Sequence, residues 1–184
     1  MARAAKAAGF DVHVATHVSS HADAIRSEGF AVHPIPLQRG SRSLAATIIA
    51  INAIRDIERR IKPQLIHHSG MQCCILGSLA GLGMTVPQVN AMTGLGYAYT
   101  NTSLRARILR FVISGLLRFV LNRKNSTTLV QNKDDWNTLK KAGIDESLIE
   151  IIPGSGVDVD LLTPLPEPSG PITVSFAGRL LTEK

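Results

Sequence analysis

Short apolar runs alternate along the chain with longer segments in which apolar residues recur every three to four positions. The short runs have the length and composition of strands, and Gly, Pro, Ser or Asn residues bound each of them. The longer segments have the period of helices with one buried face. The sequence predicts strands at residues 11–15, 31–35, 65–68, 88–91, 127–131 and 150–152, and helices at 43–61, 71–82, 103–122 and 133–142.

This alternation predicts an α/β fold, a Rossmann-like doubly wound parallel sheet. Such a domain opens with a strand, whereas residues 1–9 have the pattern of a helix end that leads into the first predicted strand. We therefore expect the leading strand to be missing, with an empty or compensated position in the sheet.

The predicted domain organisation follows from a change in composition after Gly156. A proline-rich segment, TPLPEPSGP, precedes an apolar run at 172–177 that is typical of the first strand of a new domain. We expect a Rossmann-like domain at 1–157, a linker at 158–171 and the start of a second domain at 172–184. On this interpretation the chain contains one Rossmann-like domain and the first part of a second, and it is truncated at both ends.

The excess of basic residues limits which kinds of molecule the chain is expected to bind. The chain has 20 Lys and Arg against 14 Asp and Glu, and residues 101–133 contain seven basic and no acidic residues. No nucleic-acid-binding motif accompanies this charge, so nucleic acid is excluded as a partner, and an anionic lipid or a phosphorylated ligand is favoured. The histidines are scattered and the two cysteines are adjacent, so neither a metal site nor a disulfide scaffold is predicted.

Targeting signals are not apparent in the sequence. No apolar run reaches the length that spans a bilayer, and the first residues lack a signal-peptide pattern. We expect a cytoplasmic protein that can be peripheral on the inner face of the cell membrane. Neither G-x-G-x-x-G nor a P-loop occurs, which disfavours simple NAD enzymes and P-loop NTPases.

Three segments carry a family resemblance: AAGFDVHV at 7–14, IIPGSGVD at 151–158 and VSFAGRLLTEK at 174–184. In order and spacing they resemble the family-4 retaining glycosyltransferases of the GT-B fold. In that family a P-N-G-V-D motif closes the N-terminal domain, and G-R-L-x-x-x-K-G opens the C-terminal donor domain. Here Gly154 and Ser155 replace the usual Asn-Gly of the first motif. In the family an F-x-P motif follows, and this chain has Leu162 at the position where Phe is common.

The resemblance implies transfer of a sugar from a nucleoside-diphosphate sugar to a hydroxyl acceptor, with retention and with no cofactor besides the donor substrate. It assigns the binding of the donor diphosphate to Gly178, Arg179 and Lys184. This position is physically suitable, because cations and free backbone N–H groups can both reach a phosphate where a strand ends and a helix begins. The family's acidic pair would lie beyond Lys184, so the catalytic residues are unknown and residues 1–184 alone are expected to be inactive. By the same resemblance the interdomain hinge comprises Gly154, Gly156 and Asp158.

The loop after the strand at 88–91 is the next site of interest, because open α/β sheets bind ligands at the carboxyl ends of their strands. Many relatives have a histidine here, and this chain has none. Its T-G-L-G sequence resembles the subgroup that acts on lipid-linked sugars in surface polysaccharide assembly, which implies a polyprenyl-diphosphate-linked acceptor. A glycine-requiring turn and hydrogen-bonded structural histidines are the alternatives. The cleft candidates are Thr93, Gly94, Gly96, Tyr97, His68 and His17.

The helix predicted at 103–122 has two contrasting sides. Arg107, Arg110 and Arg118 share one side, where they form either a solvated face or a contact with an anionic membrane. The residues predicted to pack on the opposite side of this helix are Ile108, Leu109, Val112, Ile113, Leu116 and Val120.

For the whole chain, the alternatives to a transferase are a UDP-sugar 2-epimerase of the same fold and a non-catalytic module that binds lipid or nucleotide.

Overall fold

The computed structural model describes residues 1–18, 20–37, 43–95, 103–154, 156, 159–167 and 169–174. All six predicted strands and all four predicted helices are present, with ends within two residues of the expected positions. In chain order the elements are α1 (Ala2–Ala7), β1 (His13–Thr16), α2 (Ala22–Ser27), β2 (Ala31–Pro34), α3 (Leu44–Ile61), β3 (Ile66–Ser69), α4 (Met71–Ala80), β4 (Gln88–Met92), α5 (Leu104–Leu121), β5 (Ser126–Val130), α6 (Lys133–Lys141), a 3-10 turn (Glu146–Leu148) and β6 (Ile149–Ile151).

The strands form two parallel sheets, one of β1 and β2 and one in the order β3-β4-β5-β6. Every described strand pair is parallel, with registers such as His68 opposite Asn90 and Met92 opposite Val130. The predicted Rossmann-like α/β class is confirmed. No described backbone pairing joins the β1–β2 sheet to the four-stranded sheet.

Side-chain caps fix where three of the helices begin. Ser43 accepts a hydrogen bond from the Ala46 N–H at the start of α3, and Ser103 and Asn132 perform the same role for α5 and α6. Helix α3 ends at Ile61, and the next residue, Lys62, adopts a left-handed conformation immediately before a proline.

The main core lies between the four-stranded sheet and the helices α4, α5 and α6. Alternate residues of β4 and β5 are buried, so one face of this sheet packs fully while the other face is half-buried. The buried apolar cluster comprises Cys74, Ile75, Leu76, Met92, Leu95, Leu117, Val120, Leu121, Val130, Leu139, Ile144 and Ile149.

Two arginines from other elements hold the carboxyl end of α4. Arg55 of α3 donates to the carbonyl oxygens of Leu79, at 3.1 Å, and Ala80, at 2.9 Å. Arg123 donates to three more carbonyl oxygens between residues 78 and 84. Cations are favourable at helix carboxyl ends. Arg123 therefore has a structural role and does not belong to an exposed basic surface.

The packing predicted for α5 is corrected by the structure. Ile108, Leu109 and Val112 are exposed, whereas the fully buried residues of this helix are Ala106, Leu117, Val120 and Leu121. The four buried residues lie within about 100° of one another around the helix axis, at 100° per residue, and Ile108 and Val112 lie on the other side. The apolar surface of α5 therefore extends around more of the helix than the core covers. Within the described ranges, no helix is long and apolar enough to cross a membrane.

A buried carboxyl group lies where α3 packs on α4. Glu58 is 6% exposed, and neither of its carboxyl oxygens has a hydrogen-bond partner among the described residues. The side-chain amide of Gln88 also has no hydrogen-bond partner among the described residues. This amide and the Glu58 carboxyl group both lie next to Gly81. Burial raises the pKa of Glu58 to about 7, and the charge of Arg55 opposes the shift. The folded protein therefore holds this proton up to neutral pH.

We expect Glu58→Gln to stabilise the protein at pH 8 and to have a much smaller effect at pH 5. The raised pKa means that the folded state binds the proton more tightly, so the stability present below the unfolded pKa is lost as the pH rises through 7. The expected difference between the two pH values is roughly 2 kcal/mol in the free energy of unfolding. Urea denaturation at both pH values measures it, with the exposed Asp56→Asn as control. A wild-type-to-variant difference that does not change with pH would contradict the assignment.

Candidate functional site

The carboxyl ends of β3, β4, β5 and β6 meet at one edge of the larger sheet, because all four strands are parallel. The first residues after β3 and β6 continue the backbone pairing with the neighbouring strands. The Gly70 N–H donates to the Ala91 carbonyl at 2.8 Å, and the Ile152 N–H donates to the Val130 carbonyl at 2.9 Å. This edge is the place where open α/β sheets bind ligands. We refer to it as the carboxyl edge.

The loop after β4 gives the carboxyl edge its exposed polar groups. Thr93 and Gly94 are exposed, and Leu95 next to them is 5% exposed and belongs to the core cluster. Leu95 therefore anchors the loop to the core. Gly94 has φ +134°, and a Cβ placed on it would meet no atom of the described residues within 4 Å. The backbone conformation thus requires glycine here, and the described residues leave the space beside it open.

Helix α4 begins at the carboxyl edge without a side-chain cap. Its first residue follows Gly70, whose φ of +85° is accessible mainly to glycine. The unpaired N–H groups of a first helical turn carry partial positive charge, which suits an anionic group. The edge therefore combines a hydroxyl, open glycine backbone and a positive helix end.

The histidine predicted for the cleft lies in the core. His68 is 8% exposed, its Nδ1 lies 2.9 Å from the Asn90 Oδ1, and its Nε2 has no partner among the described residues. Burial lowers the pKa of His68, with the Asn90 hydrogen bond opposing the shift, so the ring is neutral at physiological pH. Since Ser78 also donates to the Asn90 Oδ1, the His68 Nδ1 carries the proton. This corrects the placement of His68 in the cleft, because the exposed histidine of the pair is His67.

The remaining cleft and hinge residues are partly described. His17 is exposed and follows β1 in the smaller sheet, and no described hydrogen bond links it to the loop after β4. Gly154 and Gly156 are exposed, and a Cβ on Gly154 would lie 3.5 Å from the side chain of Gln131. The predicted residues that lie outside the described part of the chain are Gly96, Tyr97, Asp158, Gly178, Arg179 and Lys184.

The three arginines of α5 lie together, as their spacing predicts. Arg107 and Arg118 are exposed and Arg110 is half-buried, and all three line a groove of about 720 Å³ between α5 and the end of α6. Lys141 also lines this groove. Its participation was missed from the sequence, because no periodicity relates a residue of α6 to residues of α5. Elsewhere in the described ranges, no group of three His, Cys, Asp or Glu residues can hold a metal ion.

A family model described as glycosyl transferase 4-like matches residues 1–132, more than half of the chain. The chain belongs to this family. The match confirms the resemblance that the sequence motifs indicate. It covers the carboxyl-edge loops after β3 and β4 and the whole of α5, so these features lie within the family's own domain.

Solved structures support the fold of this family member. Anabaena HepE, solved in complex with UDP and glucose, is 12% identical and aligns with a TM-score of 0.58 over 81% of this chain and 38% of its own. The UDP-GlcNAc 2-epimerase from Neisseria meningitidis, solved with UDP-GlcNAc, is 16% identical with a TM-score of 0.51, over 77% of this chain and 38% of its own. This chain thus spans less than half the length of either. No curated protein matches it significantly.

Proposed function

We propose that this chain forms the acceptor-side domain of a glycosyltransferase that moves a sugar from a nucleoside-diphosphate sugar to a hydroxyl acceptor. The observation that carries the proposal is the family match over residues 1–132. The carboxyl edge supports it physically, because an exposed hydroxyl, open glycine backbone and a positive helix end suit a polar, hydroxyl-rich ligand. HepE and the Neisseria epimerase share the fold and were both solved with UDP-containing ligands.

The finer parts of the proposal rest on sequence resemblance. The reaction proceeds with retention and without a metal, and cations stabilise the departing diphosphate. Gly178, Arg179 and Lys184 perform that role, and the hinge comprises Gly154, Gly156 and Asp158. The acceptor is a polyprenyl-diphosphate-linked sugar in cell-surface polysaccharide synthesis, supported by the T-G-L-G sequence. Such an acceptor places the enzyme in the cytoplasm, at the inner face of the cell membrane.

A transfer assay tests the proposal. We expect residues 1–184 alone to give no sugar transfer, because the acidic pair of the family does not fall within them. A protein in which a second Rossmann-like domain follows residue 184 is expected to release nucleoside diphosphate from one member of a panel of UDP-, GDP-, ADP- and dTDP-sugars. Release should require a polyprenyl-diphosphate-linked sugar.

Two outcomes would overturn parts of this proposal. Transfer by residues 1–184 alone would show that the catalytic groups lie within them. Conversion of a UDP-sugar to its 2-epimer without any acceptor would identify an epimerase instead, the activity named for the Neisseria neighbour. Product analysis by mass spectrometry and NMR separates these reactions, because only transfer changes the mass of the acceptor.

A further inference from the structure

Two histidines that are 20 positions apart in the sequence form a hydrogen-bonded pair on the smaller sheet. His13 lies in β1 and His33 in β2, and the His13 Nδ1 lies 2.8 Å from the His33 Nε2. The two ring planes are within 13° of parallel. The register places His33 opposite Ala15, two residues after His13, so both imidazoles lie on the same face of the sheet. The pair therefore joins the two strands through their side chains.

Each outer nitrogen of the pair contacts a group whose hydrogen-bonding role is fixed. The His13 Nε2 lies 3.2 Å from the Asp11 Oδ2, and the His33 Nδ1 lies 3.5 Å from the Arg60 Nη2. A guanidinium group can only donate a hydrogen bond, and an ionised carboxylate can only accept one. The hydrogen bonds therefore run in one direction, from Arg60 through the two histidines to Asp11.

This direction determines where each neutral ring carries its hydrogen. Since the His33 Nδ1 accepts from Arg60, the hydrogen of His33 is on Nε2, where it is donated to the His13 Nδ1. His13 then carries its own hydrogen on Nε2 and donates it to Asp11. All four ring nitrogens have a partner in this arrangement, so the neutral pair is fully hydrogen-bonded.

One added proton changes the hydrogen-bonding role of the outer nitrogen of His33. The two inner nitrogens are 2.8 Å apart, so only one hydrogen fits between them, and a singly protonated pair must carry a hydrogen on both outer nitrogens. The contact between His13 and Asp11 then becomes charge-assisted. The His33 Nδ1, in contrast, becomes a donor that faces the donor groups of Arg60, and the new positive charge repels the guanidinium.

Arg60 connects this pair to the rest of the domain. It lies in the last turn of α3, and α3 packs against α4, which packs against β3 and β4 of the larger sheet. Burial lowers the pKa of His33, and the charges of His13 and Arg60 lower it further. The neutral pair therefore contributes stability above the ordinary histidine pKa of about 6.5, and this contribution is lost as the pH falls.

We infer that His13 and His33 form a one-proton switch, in which acidification releases Arg60 and the end of α3 from the smaller sheet while β1 and β2 stay joined. The charged groups in contact with the pair are Asp11, from the segment before β1, and Arg60, from α3. None of these four residues belongs to the carboxyl edge of the larger sheet, so the switch does not depend on the proposed transferase activity.

Imidazole nitrogen-15 NMR of the chain between pH 8 and pH 5 tests the switch, because it reports which ring nitrogen carries a hydrogen. At pH 8 both rings should carry it on Nε2. As the pH falls below about 6.5, both rings should change together while the pair takes up one proton. The nuclear Overhauser contact between the Arg60 side chain and the His33 ring should disappear over the same range. The exposed His17 provides a reference in the same spectra.

Variants at the two ends of the hydrogen-bonded chain should move the midpoint of this protonation in opposite directions. Arg60→Met removes a cation, so the midpoint should rise by roughly 0.5 to 1 pH unit, and Asp11→Asn removes an anion, so it should fall by about 0.5 pH unit. The matched control is Arg59→Met, which removes an exposed cation of the same helix turn that no described contact links to the pair. Because Glu58 of α3 has a pKa of about 7, the series is repeated in a Glu58→Gln background.

Four results would each overturn the inference. The first is a hydrogen on Nδ1 of either ring at pH 8, which is measured on the folded protein whatever happens in acid. The second is independent titration of His13 and His33 with no change of hydrogen position on His33. The third is a contact between Arg60 and His33 that persists at pH 5. The fourth is a midpoint that moves as far in Arg59→Met as in Arg60→Met.

Discussion

Gly77→Ala is expected to destabilise the protein by roughly 3 kcal/mol, although alanine is the better helix former. A Cβ at this position of α4 would lie 2.1 Å from the Nε2 of His68 and 2.3 Å from its Cδ2. The imidazole cannot move aside, because it is buried and its Nδ1 is bound to Asn90. Either the helix shifts away from the sheet or the hydrogen bond to Asn90 is lost, and both changes disrupt a close-packed core.

A double-mutant cycle separates this clash from a general intolerance of substitution in α4. In a His68→Ala background the obstructing ring is gone, so Gly77→Ala should be neutral or stabilising by up to about 1 kcal/mol, as helix propensity predicts. The free energy of unfolding from urea titrations of the wild type, both single variants and the double variant gives the coupling energy. Strict additivity of the two substitutions would show that the ring does not obstruct residue 77.

Arg179→Ala and Lys184→Ala are each expected to lower kcat/KM for sugar transfer by roughly 30- to 1000-fold in a protein that includes the donor domain. The prediction rests on the proposed function, in which both cations lie at the leaving diphosphate and a charge-assisted hydrogen bond strengthens as negative charge develops. Both residues lie outside the described part of the chain, so the expectation comes from their positions in the G-R-L-x-x-x-K pattern.

Conservative and remote variants control for indirect effects on transfer. Lys184→Arg keeps the positive charge and should retain more activity than Lys184→Ala. Arg59→Ala, which removes an exposed cation of α3, should leave kcat/KM unchanged. Initial rates over a range of donor concentrations give the values. If Arg179→Ala and Lys184→Ala both transfer sugar at the wild-type kcat/KM, the donor diphosphate lies elsewhere.

Much of the fold was predictable because its signals are local. Strand length, helix period and flanking Gly or Pro residues are read within a few positions of each other, and they gave the ten predicted elements within two residues. The parallel arrangement followed from the alternation of strands and helices. The loop after β4 could be predicted as an exposed glycine turn, since it follows directly from a strand end.

The buried face of β3 could not be predicted, because its two central residues are both histidines. Period-two alternation separates His67 from His68 but does not indicate which side a helix covers. The register with β4 decides this, since it places His68 beside Asn90 on the face that α4 covers. The burial of Glu58 could not be predicted either, because a charged residue on an amphipathic helix is expected to be exposed to solvent.

The sequence by itself determined the order of the elements, the α/β class and the family, because periodicity and motif spacing are properties of neighbouring residues. Tertiary structure alone decided which apolar residues of α5 are covered. Apolar residues occur around most of this helix, and only the elements packed against it determine which side is buried. The same packing brought Lys141 beside the arginines of α5. Contacts between elements distant in sequence leave no periodic signal in either one.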